Sequence, residues 1–189
     1  MVDFEGDIKR CVDVLQQGGV IVYPTDTVWG IGCDATNEAA VDKVFALKER
    51  PAQKSMIVLL ADARDILQYV AAPPPDIIAL VEAFEAPTTV IYEHALGLAE
   101  NAIAEDGSIG IRVTTDAFCK ALIKRYRKPI ISTSANKSGE PTPAIYKQID
   151  AGILNGADYV VKHRQEDEAL KAPSRIAKMD DEGNLTFLR

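Results

Sequence analysis

The chain is poor in the residues from which metal centres and disulfide frameworks are built. Its two histidines, His94 and His163, lie far apart, and its three cysteines, Cys11, Cys33 and Cys119, are odd in number and widely spaced. Neither a histidine-rich metal site nor a Cys-x-x-Cys pair can be drawn from them. The cysteines read as ordinary thiols of a reducing cytoplasm and the histidines as surface residues. The opening Met1-Val2-Asp3-Phe4-Glu5-Gly6-Asp7 has no basic n-region and no apolar h-region, and no later apolar run is long enough to span a bilayer. A soluble, unexported, cytoplasmic protein without membrane contact is expected. The G-x-x-x-x-G-K-S/T phosphate loop and the G-x-G-x-x-G dinucleotide fingerprint are also missing, so any ATP would bind without a Walker lysine. Ser134 stands in no G-x-S-x-G elbow, and two histidines leave few candidates for its base, which argues against a serine hydrolase. A net charge of −7 argues against a surface built to neutralise nucleic-acid phosphates, so any RNA contact should be weak or assisted by a partner.

What is present suffices for one sizeable core. With 189 residues and 47% hydrophobic composition, one domain over residues 1–189 is expected. Ile8, Cys11, Val12 and Leu15 fall at helical spacing and stop at Gly18-Gly19. Val20 to Tyr23 reads as a strand. Asn37 can cap a helix that buries Ala40, Val41, Val44, Phe45 and Leu47. Pro51 places the end of that helix near Lys48-Glu49. Met56 to Leu60, Thr88 to Tyr92, Ile109 to Val113, Pro129-Ile130-Ile131 and Tyr159 to Val161 read as strands. Helices are expected around Ile66 to Val70, Ile77 to Phe84 and Phe118 to Ile123. Ser174 to Met179 and Leu185 to Leu188 flank Asp181-Glu182-Gly183-Asn184 as a terminal hairpin. Lys162 to Lys171 reads as a charged surface loop, mobile or simply solvated. Strands and helices mixed in this order indicate an α/β or α+β domain.

Four features place polar groups inside this apolar pattern. In Pro24-Thr25-Asp26-Thr27-Val28-Trp29-Gly30-Ile31-Gly32 a strand gives way to hydroxyls, a carboxylate and two glycines that permit close backbone approach. Lys48-Glu49-Arg50-Pro51 sets two cations two residues apart, and unwinding toward Pro51 would aim them the same way. A phosphate-rich ligand would suit them, although a basic helix end stabilised by the macrodipole is the plainer account. Arg112 interrupts the apolar strand Ile109 to Val113, which calls for an edge strand or for a ligand carboxylate. Ser132-Thr133-Ser134-Ala135-Asn136-Lys137-Ser138-Gly139-Glu140-Pro141 puts hydroxyls and an amide directly after a strand, where ligands of open α/β sheets gather. Taken alone it is better read as a helix-capping turn.

Together and in this order, these features resemble the YrdC-like family of threonylcarbamoyl-adenylate synthases. Gly19 to Gly30 is similar to its first signature, Lys48-x-Arg50-Pro51 to its basic motif, and Ser132 to Gly139 to its Ser-x-Asn motif. The resemblance runs from about residue 8 to the end of the chain. It implies the single-domain type of the family, with a twisted open mixed sheet flanked by helices around a concave basic cavity. It implies condensation of L-threonine, bicarbonate and ATP into threonylcarbamoyl-adenylate and pyrophosphate, for use by a separate tRNA threonylcarbamoyl transferase complex. Lys48 and Arg50 would be catalytic, holding the phosphates and the carbamate. Thr133, Ser134 and Asn136 would bind the nucleotide, with Ser174 and Arg189 near it. Thr25 and Arg112 would bind threonine. Magnesium is expected to come with ATP, and no dedicated carboxylate cage is visible. The chain departs from the family pattern at Glu85-Ala86-Pro87-Thr88-Thr89, where a Pro-Gly-Pro-apolar-Thr turn is usual, at Arg175 and at Glu49.

A related domain acting on carbamoyl phosphate is disfavoured, because such domains belong to longer chains with zinc-finger-like parts. The alternative from another class is a non-catalytic paralogue that binds nucleotide or double-stranded RNA. For the synthase, Lys48 and Arg50 are expected to be solvent-accessible, so that their replacement by Ala would abolish activity with little effect on stability.

Overall fold

The computed structural model describes residues 4–50, 56–180 and 182–188. Pro51 and Arg189 lie outside the described residues. Helix α1 (Glu5–Gln16) buries Ile8, Cys11 and Leu15, three positions on one stripe, and carries Glu5 and Asp7 in its first turn, where the dipole favours acids. It ends as the glycine pair predicts. Gly18 takes φ 68°, its N–H donates to the Leu15 carbonyl at 3.0 Å, and that of Gly19 donates to Val14 at 2.9 Å, a Schellman closure.

Strands β1 (Ile21–Tyr23) and β2 (Gly30–Gly32) follow, then α2 (Glu38–Leu47), whose Asn37 side chain caps it by accepting from the Ala40 N–H. Next come β3 (Ile57–Leu60), α3 (Ile66–Tyr69), α4 (Ile77–Glu82), β4 (Thr88–Tyr92) and β5 (Ile109–Val113). Helix α5 (Ala117–Tyr126) is capped by Asp116 and leads into β6 (Ile130–Ile131) and β7 (Thr133–Ser134). The chain closes with α6 (Ala151–Gly156), β8 (Tyr159–Val160), β9 (Arg175–Met179) and β10 (Leu185–Phe187).

The strands form two mixed sheets. One runs β7-β2-β1-β8 and the other β10-β9-β4-β5-β3-β6. Strands β9 and β10 pair antiparallel, as the terminal hairpin pattern predicts. The chain passes from the larger sheet to the smaller at Ser132, whose N–H donates to Ile57 at 2.8 Å just after that of Ile131 has reached Cys33 at 2.8 Å. One apolar cluster joins both sheets, from Leu15 and Tyr23 through Leu59 and Ile111 to Phe118 and Leu122. Each such fully buried side chain contributes about 1.5–3 kcal/mol relative to exposure.

Three elements were not expected from the sequence. Strands β2 and β7 are short and contain Gly, Ser and Thr, so no β-branched apolar run marks them. Helix α6 has six residues and buries only Ile153. The family's glycine turn before β4 is also dispensable here: no described residue between Glu82 and Thr88 has a positive φ.

Of the two glycines in the first feature, Gly32 is the one that close approach requires. A Cβ there would lie 2.6 Å from the Ile131 carbonyl and 2.7 Å from the Tyr23 ring, whereas one at Gly30 would meet nothing nearer than 3.5 Å. Gly32→Ala should therefore cost about 1–3 kcal/mol in urea unfolding, and Gly30→Ala less than about 0.5 kcal/mol from sterics. Equal losses would contradict this packing.

Candidate active site

A cavity of about 360 Å³ opens between the two sheets, within the range of small-molecule sites. Its floor is one face of the larger sheet. Thr89 and Ile91 on β4, Gly110 and Arg112 on β5, Ile57 on β3 and Ile176 on β9 share that face through their cross-strand register. The opposite wall comes from the smaller sheet and its loops: Thr27, Trp29, Gly30, Ser132, Thr133 and Ser134. Arg50 enters from the end of α2, and Pro173-Ser174 closes the side. Among the described residues Arg50 and Arg112 are the cavity's only charged lining.

The two cations of the second feature do different things. The chain leaves α2 not by unwinding but through a second Schellman closure, in which Glu49 occupies the left-handed position at φ 51°. Its N–H reaches Ala46 at 3.1 Å, and that of Arg50 reaches Phe45 at 3.0 Å. Arg50 thereby meets the cavity. Lys48 does not line it and, contrary to the sequence-based expectation of an accessible group, is only 2% exposed. Its Nζ donates to the carbonyl oxygens of Ser134 and of Asn136, the latter at 2.6 Å. The Lys48 carbonyl in turn accepts from the Ser138 N–H at 2.7 Å. Lys137 completes the seam by pairing with Glu49 at 2.6 Å. Burial first, and the neighbouring Arg50 charge second, push the Lys48 ammonium down to about 8. Burial also lowers the Arg50 value.

Within the hydroxyl-rich turn, Ser134 and Thr133 line the cavity, whereas Asn136 does not. The Asn136 amide nitrogen donates to the carbonyls of Lys137 at 3.0 Å and Glu140 at 2.8 Å, bracing the turn from within. Ser174 is buried against Thr89, their hydroxyls 2.9 Å apart. Arg175 points to the other face of the sheet, over the Phe187 ring and toward the Thr88 hydroxyl.

Thr25 is buried and does not line the cavity. Its hydroxyl donates to the Val28 carbonyl at 2.7 Å, accepts from the Thr27 N–H at 3.0 Å and touches the Thr27 hydroxyl at 3.0 Å. Thr27 is thus the residue that the loop presents. From outside, Arg164 and Lys171 of the charged loop both donate to the Thr25 carbonyl, at 2.6 and 3.3 Å. That loop is anchored at its start as well, because Asp7 accepts from the N–H groups of Lys162 and His163. His163 packs against Phe4 and Phe118 and is half-buried.

Arg112 lies on no edge. Strand β5 is flanked by β4 and β3, and the guanidinium is paired instead with Asp26 at 3.4 Å. Thr27, Trp29 and Thr89 were absent from the sequence-based site. A period-2 pattern along β4 groups Thr89 with Ile91, but only the strand order puts that face opposite Arg112. Among the described residues no three His, Cys, Asp or Glu side chains gather into a metal-binding group, and no helix is long and apolar enough to cross a membrane.

Comparison with known proteins gives this cavity a context. The Sua5/YciO/YrdC domain family, described as "Telomere recombination", matches residues 13–189. A threonylcarbamoyl-AMP synthase of Xanthomonas euvesicatoria pv. vesicatoria is 35% identical over 176 residues, covering 90% of this chain and 91% of that protein. Another, of Stenotrophomonas maltophilia, is 32% identical, with 90% and 93% covered. In three dimensions the chain is similar to P. abyssi Sua5 complexed with L-threonine, at a TM-score of 0.85 and 21% identity. The match covers 98% of this chain and 54% of that one, so the chain spans about half of that structure.

The placement of Lys48 separates the two cations by experiment. Lys48→Met should cost about 2–4 kcal/mol, since it removes a charged donor from the Asn136 carbonyl and one of two donors from that of Ser134, while Arg50→Ala should cost less than about 1 kcal/mol. The pH dependence has a defined sign. A lysine whose folded value lies near 8 binds fewer protons folded than unfolded between about pH 8 and 10.4. The stability of wild type relative to Lys48→Met should therefore rise across that window in urea titrations. A difference that is flat or falling with pH would contradict the buried ammonium.

Proposed function

Because the chain belongs to the Sua5/YciO/YrdC family, we propose that it is an L-threonylcarbamoyladenylate synthase, a nucleotidyltransferase that joins L-threonine, bicarbonate and ATP with release of pyrophosphate. The observation that carries the proposal is the pair Arg50 and Arg112, set in one cavity among the hydroxyls of Thr27, Thr89, Thr133, Ser134 and Ser174. Such a lining offers cations for two anionic ends of a substrate assembly and hydroxyls for the atoms between. Among the described residues it holds no Ser, Thr or Cys beside a His or carboxylate in the lining, which suits a reaction whose nucleophile is the substrate's own carbamate. The curated relatives named as threonylcarbamoyl-AMP synthases support catalysis over a non-catalytic nucleotide- or RNA-binding role.

In this reading the amine of threonine adds to carbon dioxide derived from bicarbonate, loses a proton and becomes a carbamate. A carbamate oxygen then forms a bond to the α-phosphorus of ATP, and the bond from that phosphorus to the bridging oxygen breaks, its electron pair leaving with pyrophosphate. The protein's work is placement and charge compensation. Arg112 would hold the threonine carboxylate. Arg50 would meet the phosphates and the carbamate as charge builds in the transition state. Thr133 and Ser134 would hydrogen-bond the nucleotide, with Ser174 and Arg189 near it. Lys48 and Asn136 would serve the same ligand by fixing the turn that carries Ser134. Thr25 would contribute through the Thr27 side chain that it positions. Magnesium is expected to ride on the ATP phosphates, and no step is assigned to a metal held by protein side chains.

The product would pass to a tRNA threonylcarbamoyl transferase complex in the cytoplasm, with tRNA contact weak or indirect. Three buried free thiols suit that compartment.

Purified protein should release pyrophosphate from ATP only when threonine and bicarbonate are both supplied. Arg50→Ala should lower kcat/KM at least 100-fold while shifting Tm by no more than a few degrees. A folded wild-type protein with fresh bicarbonate and no release would sink the synthase reading and favour the binding paralogue.

A further inference from the structure

Asp26 has no place in the site so far, yet it is the partner of the residue given to the substrate carboxylate. Among the ion pairs of the described residues, theirs is the one in which both side chains are almost wholly enclosed. The Asp26 side chain is 8% exposed, that of Arg112 is 5% exposed, and their closest nitrogen and oxygen are 3.4 Å apart. That contact is an ion pair without good hydrogen-bond alignment. Asp26 Oδ1 and Arg112 Nε are both buried and, among the described residues, have no hydrogen-bond partner. The other carboxylate oxygen of Asp26 accepts from the Thr114 hydroxyl at 3.3 Å. Thr114 is itself fully buried and directly follows β5.

The pair also forms a partition. Arg112 lines the cavity between the sheets, whereas Asp26 lines a second one of about 230 Å³ behind it, walled by Thr114, Thr115, Phe84 and Pro87. A buried guanidinium needs a compensating anion at all times, with or without substrate. If the compensating group sat inside the substrate cavity it would occupy the carboxylate's place. From behind, it neutralises the cation and leaves the part of the planar fork that lines the cavity for a ligand in front.

We propose that Asp26 is a positioning residue, which sets the orientation of Arg112 from behind so that the free edge of the guanidinium receives the α-carboxylate of the amino-acid substrate, with Thr114 fixing Asp26 in turn. The inference rests on the reading of Arg112 as the carboxylate-binding group. A carboxylate at Asp26 lowers the net charge that the substrate meets, so its benefit lies in geometry, and its loss should weaken threonine binding specifically.

The test is steady-state pyrophosphate release with threonine and, separately, with threoninol, which keeps the amine and hydroxyl but lacks the carboxylate. Asp26→Asn should raise the KM for threonine about 10-fold or more, leave the KM for ATP within about 2-fold, and leave kcat/KM for threoninol within about 2-fold. Thr114→Val, a near-isosteric change, should raise the threonine KM about 3-fold by the same selectivity. If Asp26→Asn does not fold, Thr114→Val decides the matter alone. An unchanged threonine KM in the folded variants, or an equal loss for threonine and threoninol, would overturn the positioning role. Arg112→Gln tells the two readings apart. If it leaves threonine KM unchanged, the assignment of Arg112 itself fails. If it raises that KM while Asp26→Asn and Thr114→Val do not, only the inference about Asp26 fails.

Discussion

The ammonium of Lys48 is the fastening on which the site depends. It comes from the end of α2 and is given up to two carbonyl oxygens of a turn nearly ninety residues further on, at Ser134 and Asn136. Removing a lysine charge from water costs several kcal/mol. Two charge-assisted hydrogen bonds, at about 1.5–3 kcal/mol each, offset much of this. What remains is a constraint: the turn that presents Ser134 and the helix end that presents Arg50 are held at a fixed distance. The backbone bond from Ser138 to Lys48 and the Glu49–Lys137 pair lie along the same seam. Exposed as it is, the ion pair adds little energy of its own.

This seam closes one side of a cavity whose floor is a sheet. Because the chain crosses between sheets at Ser132, Thr133 and Ser134 stand on one wall while Thr89 and Arg112 stand on the other. Arg50 and Arg112 thus reach the same space from separate elements. Fixed cations and hydroxyls around a substrate-borne nucleophile are what a carbamate-to-phosphate transfer requires.

The sequence carried the elements well and their assembly poorly. Helices α1 and α2 could be placed from the stripes Ile8-Cys11-Leu15 and Ala40-Val41-Val44-Phe45, with Gly18 and Asn37 marking their ends. The strands rich in Ile and Val were equally plain. Strands β2 and β7 were not, since Gly30, Gly32, Thr133 and Ser134 have no run of β-branched apolar side chains, and only pairing makes them strands. Within the site, the four polar features were visible, and the structure brings Arg50, Arg112, Thr133, Ser134 and Ser174 together. The inward turn of Lys48 was not legible. Nothing local distinguishes a helix-end lysine that faces a ligand from one that faces carbonyls across the fold. For the same reason Arg112 suggested an edge or a ligand, because its partner Asp26 lies 86 positions earlier in the sequence.

Whether Lys48 fixes the cavity-facing turn is read by amide hydrogen exchange in wild type and Lys48→Met. The amides of Ala135, Asn136 and Ser138 should exchange at least about 30-fold faster in the variant, while those of β1 and β5 change far less. Protection of the turn that is unchanged, or lost only in step with the whole protein, would contradict that role.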